Sequence, residues 1–428
     1  MSDPQRFSVF SGGHLRFGVS IGLAALLGAA LLGGACSGED ASADGSGGDG
    51  GASWSASSVV TGAGGGSVTG SSDATVTSSG QGGASTSVTS ASGGGMPTGR
   101  ALLLAGGAQL LVGASFDGAT WETTTLPGAT DRGLSLAFVT KTLAVGVHRD
   151  PAVGALTFET YDATWAAPAP VGPNVTTQNA PALTARGAAA EVVFHGDDFK
   201  FYFASYSGTW SPTSEPVKPS MQDQSFGQAP GALAASGEEL IFAFAGSDGA
   251  LYEQSHTSSG WQPASQHAGT SVTGTPALVA LASGPELLLV YLSAADKKLM
   301  FATRSAGTWT APAVLESNSF SAEPPALVAL PTGEAITVFR GLDGKPYVAR
   351  FQLGMNPPWT APKPLAMANP DVTHTPSIAV GVDGHEAELA YVATDGNAYH
   401  TSLDGGAWSA AAFIAGPGLS HVAIATPP

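Results

Sequence analysis

A tryptophan that returns seven times, an aspartate turn that returns between apolar strands, and complementary defects at the two ends of the array predict an all-β fold. The expected architecture is a seven-bladed β-propeller closed by a C-terminal strand, spanning 100–428. A signal segment (1–36) and a disordered linker (37–99) precede it.

The tryptophans are Trp121, Trp165, Trp210, Trp261, Trp309, Trp359 and Trp408, at intervals of about 44–51 residues, a period that suits a four-stranded blade. Of the eight tryptophans in the chain, Trp54 alone is off this ladder. Each middle copy opens on a proline followed by small apolar residues, as in Pro181-Ala182-Leu183, Pro276-Ala277-Leu278 and Pro325-Ala326-Leu327, which suits an inner strand crowded around an axis. A glycine turn leads to a second strand that ends in an aromatic: Phe194, Phe244, Tyr291, Phe339 or Tyr391. Then comes Asp248-Gly249, Asp343-Gly344 or Asp395-Gly396, with Asp198 and Asp296 at the same place in two other copies. Asp-Gly between apolar strands is a hairpin signal, because glycine accepts the positive φ of the turn. A third strand runs to a tight turn, and the outer strand is expected to begin at the tryptophan. No segment of helical period longer than a turn or two competes.

The first tryptophan follows the linker so closely that its copy lacks an opening strand. After Trp408 the chain continues through GPGLSHVAIATPP, an opening strand with nothing after it. Residues 419–426 are therefore expected to complete the blade whose other strands lie within 101–126, removing the open sheet edge.

The N-terminal segment has the layout of an export signal: Arg6, His14 and Arg16, then an apolar run from Phe17 to Ala35, then Cys36, the one cysteine of the chain. LLGGAC resembles the bacterial lipoprotein signal, which implies lipidation of Cys36. Ser37 after it resembles outer-membrane sorting and so implies an envelope location; a plain secreted protein is the alternative. Residues 37–99 are nearly all Gly, Ser, Ala, Thr, Val and Asp. Such a segment buries too little apolar surface to offset its ordering entropy, and as a flexible coil it would reach about 45 Å.

Charged residues are 11% of the chain and the formal net charge is −17. Sixteen Lys+Arg, thinly spread, do not form a phosphate-binding surface, so nucleic acid is not an expected partner. No HExxH, GxSxG, phosphate loop or cysteine-based site is present, and the nine histidines are scattered rather than at ligand spacing, so neither a metal nor another cofactor is expected.

Asp248-Gly249-Ala250-Leu251-Tyr252…Gly260-Trp261-Gln262-Pro263 resembles the blade repeat of bacterial and fungal fucose-binding lectin propellers. Ser115-Phe116-Asp117-Gly118-Ala119-Thr120-Trp121 resembles a shortened Asp-box of sialidase-type propellers. The first resemblance implies sugar sites between blades, built from an arginine, an acid and stacking aromatics. These residues do not recur here: where Arg340 ends one second strand, His195, Ala245, Leu292 and Val392 stand in other copies. The tryptophans themselves are expected to pack rather than to bind.

The loop into each inner strand and the turn after each second strand should share one face. That face collects the candidate ligand-binding residues His148, Arg149, Asn179, His195, Gln228, Glu323, Arg340 and His374. The expected function is non-catalytic recognition of a glycan or a surface protein by a lipid-anchored monomer. A sialidase-type glycosidase drawing on Arg132, Arg149, Arg340 and Glu323, and a structural envelope lipoprotein without a small ligand, are the alternatives.

Overall fold

The computed structural model describes residues 75–80, 84–89, 100–211, 215–216, 229–366 and 371–428. Among these there is no helix, and seven antiparallel blades follow one another along the chain. The fifth blade shows the plan. Its inner strand is Ala277–Ala280, its second Leu287–Leu292 and its third Leu299–Ser305, in register Ala277↔Val290 and Leu292↔Leu299. The second strand, LLLVYL, is buried at every position because a neighbouring blade covers each of its faces. The third is mostly half-buried, with Leu299 and Ala302 buried and Ser305 exposed, as a strand nearer the rim should be.

The outer strand departs from expectation. Outside the first blade it is not continuous from the tryptophan. In the fourth blade Gly260–Trp261 and Ser265–Gln266 each pair with Leu251–Thr257, and the fifth blade repeats this with Thr308–Trp309 and Ala313–Val314. The prolines between the pieces, Pro263 and Pro312, supply no amide hydrogen to the ladder, so pairing lapses there.

The first blade closes the ring. His421–Ala425 pairs antiparallel with Ala101–Gly107, in register Leu102↔Ala425 through Gly106↔His421, and Leu110–Phe116 and Trp121–Leu126 complete the sheet. Ile424 donates its amide hydrogen to Ser377 Oγ of the seventh blade at 3.1 Å. Side-chain hydroxyls tie other neighbours: Ser135 to the carbonyl of Pro181, Thr275 to that of Pro230, and Thr375 to that of Pro324. The hydrophobic core is divided into layers between successive blades, such as Leu104, Leu111, Leu134, Leu136 and Ala423 between the first two.

Within the span read as linker, Thr75–Gly80 and Ala84–Thr89 form a hairpin whose edges pair with Ala277–Ala280 and with Leu134–Phe138. Both stretches carry β-branched threonine and valine, which suit a strand. Cys36, the rest of the linker and Gln228 lie outside the described residues.

The seven tryptophans are rivets between blades. Trp210 meets Phe158 of the preceding blade edge-on at 5.5 Å, Trp261 meets Phe203 at 5.5 Å, Trp359 meets Phe301 at 5.8 Å and Trp121 meets His400 at 5.1 Å. Trp408 packs with Val348 on a shared core layer. Trp165 lies over Gly113, where a Cβ would collide with the indole. Trp309 differs: its Nε1–H donates to the carboxylate of Glu253. The packing expected of these side chains therefore holds, with one polar exception.

Candidate functional site

The aspartate turns build one face of the ring. Asp248 Oδ1 accepts the amide hydrogen of Ala250 at 3.0 Å, and its Oδ2 accepts the hydroxyl of Tyr252 at 2.8 Å. Asp198–Tyr202, Asp343–Tyr347 and Asp395–Tyr399 repeat the bond at 2.7, 3.1 and 2.8 Å. Each tyrosine also stacks on the aromatic that ends its second strand, as Tyr252 does on Phe244 at 5.7 Å. The turns with Gly249, Gly344 and Gly396 take φ near +80°, and Phe199 and Lys297 are held at +63° and +60° in the same place. The hydroxyl and amide bonds over-determine that conformation where no glycine is present.

The predicted residues divide into two groups. His148 and His195 are not on the rim. His148 is buried inside the second blade, with Nδ1 3.2 Å from the buried Glu159 and Nε2 2.9 Å from Thr157 Oγ1. His195 is buried against Phe201, and its Nδ1 accepts from Asn179 Nδ2 at 3.3 Å. Burial depresses its pKa, and the nearby Asp198 carboxylate only partly offsets this. His195 ends its strand and His148 is the last residue but one of its own, and both point inward, a direction that the hydropathy pattern alone did not resolve.

Arg149, Glu323, Arg340 and His374 do lie on the rim, which is contributed there by the sixth, seventh, first and second blades. Arg149 holds Asp131 with bonds of 2.6 and 2.8 Å and donates Nε–H to the carbonyl of Thr177 in the next blade. Arg340 makes the equivalent bond to the carbonyl of Val372. Glu323 accepts the amide hydrogen of Thr375 at 2.9 Å and lies 3.2 Å from His374 Nδ1 and 3.9 Å from Arg340. Burial alone would raise the pKa of Glu323, but His374, the Thr375 amide and Arg340 outweigh it and hold the carboxyl below its usual range.

Sequence reasoning missed His421. It is the first residue of the closing strand and stacks on His374 with ring centroids 4.7 Å apart and planes 12° apart. Burial first, and then the charge of His374, bring its pKa down to about 4, against the opposing pull of Glu323 and Asp131. The signal that could have found it was present: once 419–426 is assigned to the first blade, its leading polar residue falls into the same ring as Glu323 and His374.

Cavities lie elsewhere, between blades. One of about 330 Å³ separates the fourth and fifth and is lined by Glu253, Gln266, His267, Trp309 and Thr310. His267 stands edge-on to Trp309 at 5.2 Å, with Nε2 3.8 Å from Glu253. A second, of about 340 Å³, lies where Thr176 and Val175 meet Phe194, Asp197, Asp198 and Tyr202. A third, of about 730 Å³, is lined by Arg186, Glu191, Glu238, Glu239 and His256 between the third and fourth blades. Among the described residues no group of histidine, cysteine and carboxylate side chains has metal-binding geometry.

No protein-family model matches the sequence, and no curated protein is similar to it. Solved structures are similar in fold. The BP39L lectin of Burkholderia pseudomallei matches at TM-score 0.60 and 14% identity, over 80% of this chain and 99% of its own. The neighbours include lectins. Another, the six-bladed fungal lectin of Aleuria aurantia, matches more loosely, at TM-score 0.44 and 12% identity over 66% of this chain and 95% of its own. The periplasmic gluconolactonase PpgL of Pseudomonas aeruginosa matches at TM-score 0.50 and 12% identity, over 77% of this chain and 100% of its own. At such identities the likeness is one of fold, and the chain is a seven-bladed propeller with lectin-like structural neighbours.

Proposed function

We propose that the propeller is a carbohydrate-recognition module, with the cavity between the fourth and fifth blades as its sugar site. One observation carries this reading. At Trp121, Trp165, Trp210, Trp261 and Trp359 the partner in the neighbouring blade is glycine, a phenylalanine or an imidazole; at Trp309 it is a carboxylate, and the pair opens into a cavity. An indole wall, a carboxylate acceptor, an imidazole and the Gln266 amide are the groups that a sugar ring uses: an apolar C–H face against an aromatic, and hydroxyls on fixed polar atoms. The volume of about 330 Å³ falls within the range of small-ligand pockets. The lectin neighbour BP39L supports the same reading at the level of fold. The site stands alone among the blades, so weak monovalent binding is expected rather than multivalent agglutination.

The test is a glycan array probed with the full chain, followed by titration calorimetry on the best glycan. Glu253→Gln should weaken that binding about ten-fold or more and leave the melting temperature nearly unchanged, since glutamine can still accept the Trp309 hydrogen bond. Absence of any bound glycan at high protein concentration overturns the reading.

The proposal includes the anchor. The placement of Cys36 after LLGGA supports lipidation, with the Gly/Ser-rich span as a tether to an envelope membrane. Cys36→Ala should move the protein from the membrane to the soluble fraction; persistence in membranes would favour an uncleaved apolar anchor.

A further inference from the structure

We infer that the Glu323–His374 pair is a general-base dyad for the hydrolysis of an ester or lactone, a catalytic activity separate from sugar recognition. The argument begins with the tautomer. Glu323 Oε1 lies 3.2 Å from His374 Nδ1. The carboxylate accepts, so Nδ1 carries the proton and Nε2 presents a lone pair. Glu323 is itself fixed by the Thr375 amide at 2.9 Å, so the dyad is oriented on both sides. The His374 side chain is 38% exposed while Glu323 is 22% exposed, which puts the base toward solvent and its orienting acid behind it.

The surroundings suit a reaction that develops negative charge. Arg340 flanks the carboxylate at 3.9 Å, while its Nε–H is fixed on the carbonyl of Val372. On the other side the His421 ring stacks parallel to His374, its Nδ1 paired with Ser420 Oγ at 2.8 Å. Asp131 and Arg132, from the loop into the second blade, complete the groups whose charges reach His421. Glu323 from the sixth blade and His421 from the first thus flank the imidazole of His374, at the end of the ring that the aspartate turns also face. Structural histidines of this chain, His148 and His195, are buried instead. His374 has a half-buried carboxylate partner on Nδ1 and a side chain open to solvent, the arrangement of a working base.

The step balances without a cofactor. His374 Nε2 takes a proton from water as the water oxygen bonds to the carbonyl carbon. A tetrahedral oxyanion forms. The acyl carbon–oxygen bond then breaks, and the departing alkoxide takes the proton back from the imidazolium. The products are a carboxylic acid and an alcohol, which in a lactone belong to one hydroxy acid.

The full chain should hydrolyse δ-gluconolactone or p-nitrophenyl acetate. Expected rates are about 100-fold or more above those of His374→Gln, the range that a positioned base supplies. Glu323→Gln should fall between the two. Added imidazole should restore much of the rate to His374→Ala, a rescue that a purely structural histidine would not show. Melting temperatures of the variants are measured alongside. Equal rates for the full chain and a folded His374→Gln protein overturn the proposal, as does a His374→Ala variant that remains folded and gains nothing from imidazole.

Discussion

Single residues decide how the blades meet. The position that faces the next blade's tryptophan is occupied by Gly113, Phe158, Phe203, Glu253, Phe301 and His400 in six of the blades. Gly113 is the extreme case, because the Trp165 indole occupies the space where its Cβ would stand. Gly113→Ala forces the indole off its rotamer and should cost about 1–3 kcal/mol, read as a lowered urea midpoint at unchanged slope. Little of this was legible in the sequence. The spacing of the tryptophans is a chain property and shows at once. The side chain opposite each is chosen across a blade boundary, by a strand some fifty residues earlier, and no local pattern names it. The same holds for the sites: Glu323 and His374 were found because they share a position in the repeat, whereas Glu253 sits where other copies hold scaffold residues and was passed over.

At the scale of elements the repeat was transparent for the opposite reason. A second strand buried on both faces is mostly apolar, its few polar residues such as Glu388 and Thr337 being paired, and a turn needing positive φ must draw on glycine or a residue held there by side-chain bonds, so each leaves a mark in the residues themselves. The outer strand was less legible, because its two-residue pieces are too short to leave a period. The closing strand His421–Ala425 is the element on which most depends. It makes five register pairs with Ala101–Gly107 and buries Val422, Ala423, Ile424 and Ala425. Deleting 419–428 would expose the edge of the first blade and both adjoining core layers. Loss of the cooperative melting transition is expected; an unchanged melting curve would contradict the closure.

The whole molecule has a pH dependence that its charge distribution sets. The carboxyls of Glu323, Asp117, Asp198, Asp296 and Asp395 are all held below their usual values, and His421 is brought down to about 4. Every one of these groups binds fewer protons folded than unfolded at mildly acid pH, so stability falls as pH falls. For His421 the loss begins near its unfolded value of about 6.5 and is complete near 4. The carboxyls act lower, below their unfolded values. The melting temperature should therefore decline in two stages, and His421→Gln should shrink the first to the share that the buried His195 supplies while sparing the second. A flat profile from pH 7 to 4.5 would show that the His421 environment differs from the one described.

The first blade is assembled from residues at both ends of the array, and this sets a schedule. Until residue 425 has been synthesised, Ala101–Gly107 has no inner partner, and the blades already made stand as an open fan. An exposed strand edge is a template for joining another chain. The molecule is thus most vulnerable to a wrong partner after the seventh blade is made and before His421–Ala425 is, while its seam is still open. Any factor that guards nascent chains would be needed longest at Ala101–Gly107, whose inner edge waits for the closing strand.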